Sequence, residues 1–273
     1  MQNKIKKTYN RVLTIAGSDS GGGAGIQADL KTIAACGCYG MSVITALTAQ
    51  NTKGVFGIFP VPVDFVQQQL QAVLSDIGSN AIKIGMLFSS ELIEMIAAEL
   101  TSCATGNIVL DPVMIAQSGD NLLKKEAVAA LKSSLIPVAT LITPNLPEAS
   151  VLLGREITRA TELKDAAIEL SELGCANVLI KGGHLETEDC DDLLYMGGSG
   201  EVFTYPVKRI ETKNNHGTGC TLSSAIAAGL AKGLSLPAAV ASGKDYITGA
   251  IRSGADYEIG GGHGPVDHFY KFF

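Results

Sequence analysis

The first folded unit of this chain opens on Val12-Leu-Thr-Ile-Ala-Gly-Ser-Asp-Ser20, a short apolar run that ends in a turn. Residues 25–35, which follow, have the periodicity of a helix. The same order of short β-like runs and longer helical runs recurs along the chain. Strands that alternate with helices form βαβ units, with a mainly parallel sheet and helices on both faces. The sequence therefore predicts an α/β protein with three αβα layers.

The pattern also predicts the individual elements and the place where a ligand binds. Further β-like runs are predicted at 41–47, 55–59, 81–84, 107–110, 139–142, 177–180, 193–196 and 202–207, and further helices at 63–77, 92–100, 122–135, 163–173, 219–232 and 237–253. Ligands of such sheets bind beyond the carboxyl ends of the strands. Most polar clusters of this sequence follow predicted strands, at 17–20, 111–112, 143–145 and 181–184, so we expect the site there.

Composition narrows the class of protein. Of 273 residues, 46% are hydrophobic and 18% are charged, which is enough apolar material for a large core. No linker, repeat or low-complexity stretch divides the chain, so a single domain over residues 1–273 is predicted, with 1–10 as a flexible tail. The net charge of −6 argues against nucleic acid as a partner.

The cysteines and the apolar runs indicate a cellular compartment. Six cysteines, at 36, 38, 103, 175, 190 and 220, have neither the spacing of a metal site nor that of a disulfide framework. The first residues lack the apolar run of a signal peptide, and no apolar run is long enough to span a bilayer. We therefore expect a cytoplasmic protein with free thiols and no membrane association.

A glycine-rich turn runs into a helix at Asn215-His-Gly-Thr-Gly-Cys-Thr-Leu-Ser-Ser224. The glycines and the helix start direct backbone N–H groups toward one point, which predicts an anion site with phosphate as its guest. Cys220 has three interpretations: a small buried thiol, a covalent nucleophile paired with a base such as His216, or a general base with a lowered pKa. The surrounding anion site favours the general base.

Three other clusters suit the handling of a phosphate and a flat ring. The glycine-rich residues 17–25 match neither a dinucleotide fingerprint nor a Walker loop, and they predict close approach of the backbone to a ligand. Gln50 can read the hydrogen-bonding edge of a ring, and Met86 can pack on its face or fill the core. Lys181, beside two glycines, can reach a phosphate as a point charge.

Two carboxylates lie at predicted strand ends. Asp111 ends one strand, and Glu148 lies shortly after the next. Mg²⁺ prefers such oxygen ligands and usually keeps several waters, so direct coordination is not required. The alternative for Glu148 is a charge in the first turn of a helix, where it complements the helix dipole.

Taken in order, the motifs resemble those of the hydroxymethylpyrimidine/phosphomethylpyrimidine kinases of thiamine biosynthesis. The resemblance runs from about residue 11 to the end of the chain. It rests on Gly17-Ser-Asp-Ser, Gly22-Gly-Ala-Gly-Ile-Gln-Ala-Asp-Leu-Lys31, Gln50-Asn-Thr, Lys83-Ile-Gly-Met-Leu87, Asp111-Pro-Val-Met114, Thr143-Pro-Asn145, Glu148-Ala149, Lys181-Gly-Gly-His184, His216-Gly-Thr-Gly-Cys-Thr-Leu-Ser-Ser224 and Gly262-His-Gly-Pro-Val-Asp-His268. It implies the ribokinase-like fold.

The resemblance also implies an activity. ATP phosphorylates the hydroxymethyl group of 4-amino-5-hydroxymethyl-2-methylpyrimidine, and the monophosphate is then carried to the diphosphate at the same site. It implies these roles: Cys220 as base, with Gly217, Thr218 and Gly219 in the anion hole; Gln50, Gly17, Asp19, Met86 and Val113 for the pyrimidine; Lys181, Thr218, Asn145 and Lys244 for ATP; and Asp111 and Glu148 for Mg²⁺.

Departures from the family pattern are small. Gly21 stands where serine is common, Asn214 and Asn215 where threonine-type residues are usual, and Asp267 where asparagine is common. The resemblance further implies a homodimer, and we expect no fused thiamine-phosphate synthase domain. Residues 115–121 are the candidate flap that excludes water.

Three rival functions remain open at this point. A pyridoxal or pyridoxine kinase would share the fold and the reaction. A ligand-sensing protein without catalysis would keep only the fold. A thiol-dependent acyl-transfer or hydrolytic enzyme would form a covalent adduct on Cys220.

Overall fold

The computed structural model describes residues 7–102, 106–114, 125–184 and 191–273. Within them lies one sheet with the strand order β3-β2-β1-β4-β5-β6-β7-β8-β9. The central strands, β2 to β7 in that order, pair in parallel, while β3, β8 and β9 are antiparallel additions at the two edges. The strands are β1 (Arg11–Ser18), β2 (Tyr39–Asn51), β3 (Gly54–Pro60), β4 (Ala81–Ile84), β5 (Ile108–Leu110), β6 (Leu141–Ile142), β7 (Asn177–Ile180), β8 (Asp192–Met196) and β9 (Glu201–Tyr205).

Helices cover both faces of this sheet. Alternate residues of β1 point in opposite directions: Leu13 and Ile15 belong to the core under α2 to α6, and Val12 belongs to the core under α1, α7 and α8. The predicted three-layer αβα architecture is therefore confirmed. The helices are α1 (Gly25–Ala35), α2 (Val63–Asp76), α3 (Ser90–Thr101), α4 (Lys125–Ala130), α5 (Leu146–Leu153), α6 (Leu163–Ser171), α7 (Thr218–Ala231) and α8 (Leu236–Gly254).

Small side chains allow α7 to lie deep between the sheet and α8. Every residue of α7 from Thr221 onward is buried, and most of them are alanine, serine or glycine. On α8, a Cβ added at Gly243 would come 2.8 Å from Cγ1 of Ile226. The two helices therefore pack closely, and this packing fixes the N-terminus of α7 at the edge of the sheet.

Most predicted elements are found, and the differences have local causes. Helix α1 and strands β4 and β7 have the predicted bounds, whereas β2 continues to Asn51, so that Gln50 lies within a strand. Helix α5 was not predicted, because it is short and apolar on most sides. The helix predicted over 122–135 is described only from Lys125, and it widens into a π-helical turn at Leu131–Leu135.

Several expectations cannot be compared with the structure. The candidate flap at 115–121, the first six residues of the predicted tail, and Cys103 and Cys190 lie outside the described residues. In the part of the chain that is described, no helix combines the length and the apolar content needed to cross a bilayer.

A buried ion pair joins the sheet to helix α1. Lys83 on β4 places Nζ 2.8 and 2.9 Å from the two carboxylate oxygens of Asp29 on α1, and neither side chain has exposed surface. Thr14 on β1 and Ser224 on α7 donate hydrogen bonds of 2.6 and 2.7 Å to the same carboxylate. Burial opposes the charge on Lys83, but Asp29 raises the pKa of this lysine above its ordinary value. Four elements are thus tied together by one charged network.

We predict that Lys83→Met lowers the free energy of unfolding by about 3–5 kcal/mol, because it leaves the Asp29 carboxylate buried without a counter-charge. Urea denaturation measures this loss. The double variant Lys83→Met/Asp29→Asn removes both charges and should recover a large part of it. Lys164→Met, at an exposed lysine of α6, is the control and should change stability by less than about 0.5 kcal/mol. A small loss for Lys83→Met would contradict the role of the pair.

Candidate active site

A cleft of about 700 Å³ opens beyond the carboxyl ends of the parallel strands. Strand β1 lies between β2 and β4, so the strand order reverses direction there, which is where open α/β sheets bind ligands. Every site residue expected from the sequence lines this one cleft: Gly17, Asp19, Gln50, Met86, Asp111, Val113, Asn145, Glu148, Lys181, Gly217, Thr218, Gly219, Cys220 and Lys244. The fold therefore brings these residues together at one edge of the sheet, while the role of each residue stays a prediction.

The N-terminus of α7 forms the floor of the cleft. Gly217 precedes the helix with a φ of 77°, and no side chain caps this end. A Cβ at Gly217 would collide with the carbonyl oxygen of Gly23, so the two glycine-rich loops can meet only through glycine here. The first N–H groups of α7 therefore point into the cleft and provide a site for an anion.

Lys181, Asp111 and Glu148 form a charged cluster beside this helix start. Nζ of Lys181 lies 2.8 Å from Oδ1 of Asp111 and 3.8 Å from Oε2 of Glu148. Burial works against ionisation of Asp111, but Lys181 and Lys83 hold the pKa of Asp111 below its ordinary value. A Cβ on Gly219 would come 3.3 Å from Nζ of Lys181, which places the lysine directly at the anion site.

Glu148 and Asn145 cap helix α5 reciprocally. The backbone N–H of Asn145 donates to Oε2 of Glu148 at 2.8 Å, and the N–H of Glu148 donates to Oδ1 of Asn145 at 2.9 Å. Burial, opposed by Lys181, raises the pKa of Glu148 to about 7. Glu148 is thus both the first-turn helix charge that the sequence offered as an alternative and a carboxyl at the edge of the anion site.

Lys244 lines the cleft and forms an ion pair with a residue that the sequence analysis missed. Its Nζ lies 2.6 Å from Oδ2 of Asp192, the buried first residue of β8. The other oxygen, Oδ1, accepts a hydrogen bond of 3.0 Å from the N–H of Gly182, which follows Lys181. Asp192 therefore positions both Lys244 and the loop after β7. No motif surrounds it in the sequence, so no local pattern could have found it.

Asp19 organises the first glycine-rich loop. Its Oδ1 accepts the N–H of Gly21 at 2.8 Å, and its Oδ2 accepts those of Gly23 and Ala24 at 3.0 and 2.8 Å. Burial opposes the charge, but these bonds and His216 lower the pKa of Asp19. With both oxygens engaged, this carboxylate shapes the loop that lines the cleft.

The sulfur of Cys220 lies in the first turn of α7, and its pKa does not follow the expectation. Burial raises the pKa of this thiol to about 11, although Lys83 acts in the opposite direction. The expected lowering is therefore wrong for the protein without ligands, because desolvation outweighs the positive helix end. No hydrogen bond joins Cys220 to His216, whose Nε2 lies 3.0 Å from Oδ2 of Asp19, so the nucleophile–base pair is not formed.

Comparison with known proteins decides the family. The sequence model of the family described as phosphomethylpyrimidine kinase matches residues 19–267. The chain belongs to this family. Its ribokinase-like fold is confirmed by solved structures of similar chains, among them a phosphomethylpyrimidine kinase from Clostridium difficile with a TM-score of 0.79 and 47% identity, which covers 88% of this chain and 99% of that one.

Other relatives show the range of the family. A hydroxymethylpyrimidine/phosphomethylpyrimidine kinase from Rhizobium meliloti is 50% identical over 96% of this chain and 97% of its own length. A bifunctional thiamine biosynthesis protein from Geobacter sulfurreducens is 54% identical over 94% of this chain, which spans only 52% of that protein. A Staphylococcus aureus pyridoxal kinase solved with ADP superimposes with a TM-score of 0.89 at 36% identity, over 97% of this chain and 96% of that one.

We predict that alkylation of Cys220 by iodoacetamide accelerates about tenfold per pH unit up to at least pH 9.5, without levelling. Only the thiolate reacts, and a pKa raised to about 11 keeps its fraction small and still rising over this range. Mass spectrometry of the Cys220 peptide gives the rate. Glutathione is the reference, and its rate should level near its own thiol pKa. A plateau for Cys220 below pH 8.5 would contradict the raised pKa.

Proposed function

We propose that this protein uses ATP to phosphorylate 4-amino-5-hydroxymethyl-2-methylpyrimidine and then converts the monophosphate to the diphosphate, as a step of thiamine biosynthesis. The single observation that carries the proposal is the cleft itself, which joins an anion site at the start of α7 to the amide of Gln50. Membership of the phosphomethylpyrimidine kinase family supports this substrate.

The cleft divides into a nucleotide end and a ring end. At the nucleotide end, Lys181 and Lys244 lie near apolar side chains that suit the flat base of ATP, namely Val207, Ile210, Ile247 and Ile251. At the ring end, Gln50, Met86 and Val113 surround a space bordered by the Gly17 backbone. A hydroxymethyl group on a ring held there is directed toward Cys220 and the anion site.

The residues contribute mainly position and charge. Phosphoryl transfer has a loose transition state with negative charge spread over the transferred oxygens. The N–H groups at the start of α7 and the ammonium of Lys181 stabilise that charge. Burial raises the pKa of Cys220, so its thiol holds a proton in the free protein and must release that proton to solvent before it can act as a base. The thiolate then accepts the proton of the acceptor alcohol while the new P–O bond forms and the bond from the transferred phosphorus to ADP breaks. The second acceptor is an ionised phosphate and needs no such base.

The residues present fit a Mg²⁺ that is bound largely through phosphate and water. Among the described residues, no three His, Cys, Asp or Glu side chains are grouped as a complete metal site. Asp111 and Glu148 supply carboxylate oxygens at the anion site, and a site with two carboxylates is typical of Mg²⁺ bound together with nucleotide phosphates. When bound, the ion would neutralise phosphate charge. The raised pKa of Glu148, about 7, leaves this carboxyl ready to ionise when a cation arrives.

A pyridoxal or pyridoxine kinase is the second candidate. Two solved pyridoxal kinases superimpose on this chain with TM-scores of 0.87 and 0.89, higher than the 0.79 of the phosphomethylpyrimidine kinase from Clostridium difficile, although their sequences are less similar, at 38% and 36% identity against 47%. The reaction that separates the candidates is the second phosphorylation, because pyridoxine offers a hydroxymethyl group and only the pyrimidine kinase also phosphorylates a phosphate.

The deciding experiment supplies ATP and Mg²⁺ with the pyrimidine alcohol, its monophosphate or pyridoxine, and follows the products by ³¹P NMR. We expect a pyrimidine diphosphate from the monophosphate and the largest kcat/KM for the pyrimidine alcohol. Protein that phosphorylates pyridoxine but forms no diphosphate would support the second candidate. Protein that binds ATP and phosphorylates none of the three would favour a ligand-sensing role.

We predict that Cys220→Ala lowers kcat for the pyrimidine alcohol by about 10²–10⁴-fold, because the proton acceptor is lost. The loss for the monophosphate should be at least tenfold smaller, because that acceptor is already ionised. The Kd for ATP, measured by calorimetry, should change by less than about threefold. Near-normal turnover of the alcohol would make the thiol purely structural.

We also propose that two copies of this chain associate through the β2–β3 edge of the sheet. Apolar side chains are strongly exposed there, with Phe56 at 70%, Phe59 at 66% and Leu47 at 46%, and Phe65 of α2 adds a further 54%. Strand β3 is an edge strand, and exposed apolar edges are sites of association.

We predict that light scattering gives the mass of two chains for the wild type and of one chain for Phe56→Ser/Phe59→Ser. Burial of these rings would stabilise the dimer, and two hydroxyls would remove that contribution. Phe272→Ser is the control, since Phe272 is 59% exposed near the other end of the chain. A wild type that remains monomeric at micromolar concentration would contradict this interface.

A further inference from the structure

The amide of Gln50 is held from two sides at the ring end of the cleft. Its Nε2 lies 3.2 Å from Nε2 of His216, and its Oε1 lies 3.2 Å from Oγ1 of Thr48. His216 immediately precedes the anion loop at the start of α7, while Thr48 and Gln50 belong to β2. The group expected to read the ring therefore depends on a residue from a distant part of the sequence.

The proton between His216 and Asp19 belongs to the imidazole. The Asp19 carboxylate accepts three backbone N–H groups, so it is ionised and can only accept hydrogen bonds. Its Oδ2 lies 3.0 Å from Nε2 of His216. A lone pair on that nitrogen would face the carboxylate and be repelled, so Nε2 carries a hydrogen and donates it to Asp19.

This assignment determines how the Gln50 amide is oriented. Nε2 of His216 directs its hydrogen at Asp19, so it has no lone pair that could accept from the NH₂ group of the Gln50 amide. It can share that hydrogen with a second acceptor, the oxygen of the same amide. Thr48 has one hydroxyl proton, and its nearer acceptor is the carbonyl of Ser18 at 2.9 Å. The Thr48 hydroxyl oxygen is then free to accept from the amide. Both neighbours therefore favour the same exchange of the two amide positions, in which the Gln50 amide is rotated by 180°. Oε1 then faces His216 and Nε2 faces Thr48.

His216 itself has little freedom to move. Its backbone N–H donates to the carbonyl of Gly264 at 3.0 Å. Its ring lies so close to the first glycine-rich loop that a Cβ on Gly23 would come 2.5 Å from Cδ2. The orientation of the imidazole, and through it that of the amide, is set before a ligand enters.

We propose that His216, held by Asp19, is a positioning residue that fixes the orientation of the Gln50 amide and so selects the donor–acceptor order of the ring edge. This inference rests on the proposed function. After bonding to its neighbours, the amide presents one lone pair and one N–H to the cleft. A 4-aminopyrimidine offers an amino donor beside a ring-nitrogen acceptor, whereas its 4-oxo analogue offers the reverse order. A fixed amide can satisfy only one of them, and the other meets two unfavourable contacts.

The test compares dissociation constants for 4-amino-5-hydroxymethyl-2-methylpyrimidine and its 4-oxo analogue, measured by calorimetry on the intact chain. We expect the wild type to favour the amino compound by about 100-fold or more, which corresponds to two mismatched polar contacts. His216→Leu and Thr48→Val should reduce this ratio to about 10-fold or less, because the amide can then turn. Thr48→Ser keeps the hydroxyl and should retain the wild-type ratio. The Kd for ATP should stay within about threefold in all variants.

Each outcome bears on one of the two proposals. An unchanged ratio in His216→Leu would overturn the positioning role of His216, whatever Thr48→Val shows, and would leave the proposed function intact. Wild-type protein that binds ATP but neither pyrimidine would overturn the proposed function, and this inference with it. A readout without variants is ¹⁵N NMR of the ligand-free wild type, where neutral His216 should carry its proton on Nε2. A proton on Nδ1 instead would also overturn the inference.

Discussion

The buried ion pair between Lys83 and Asp29 is the interaction on which the rest of the site depends. A lysine without exposed surface is tolerated only because a carboxylate meets it at 2.8 Å and two hydroxyls complete the network. The pair joins β4 to α1, and Thr14 and Ser224 add β1 and α7. These four elements end at, or begin from, the cleft, so one electrostatic constraint sets their relative positions.

The charges of Lys83 and Asp29 also affect the thiol of Cys220 in the neighbouring cleft. Cys220 lies over this network, where burial raises the pKa of its thiol and Lys83 partly offsets the effect. Farther along the cleft, Lys181 bridges Asp111 and Glu148 at the helix start. A site of this kind supplies fixed positive charge and N–H groups before the substrate arrives, and phosphoryl transfer requires little else from a protein.

The elements and site residues that could be predicted from the sequence are those that short-range patterns encode. Periodicity located α1, β4 and β7 because each is a continuous apolar or amphipathic run, and glycine spacing located the anion site at residues 215–224. Helix α5 and Asp192 were missed, because an eight-residue apolar helix and a lone aspartate carry no periodic signal. The thiol of Cys220 was predicted in the right place with the wrong pKa shift, since desolvation depends on neighbours far away in the sequence.

By itself, the sequence determined the αβα fold, the family and part of the set of residues that line the cleft, because strand–helix alternation and glycine-rich turns are encoded locally. Only the tertiary structure decided which charges meet. The pairing of Lys83 with Asp29, of Lys244 with Asp192 and of His216 with Asp19 joins residues that are distant along the chain. Electrostatic and hydrogen-bond energies depend on distance and burial in the folded chain, and neither quantity exists until the layers have packed.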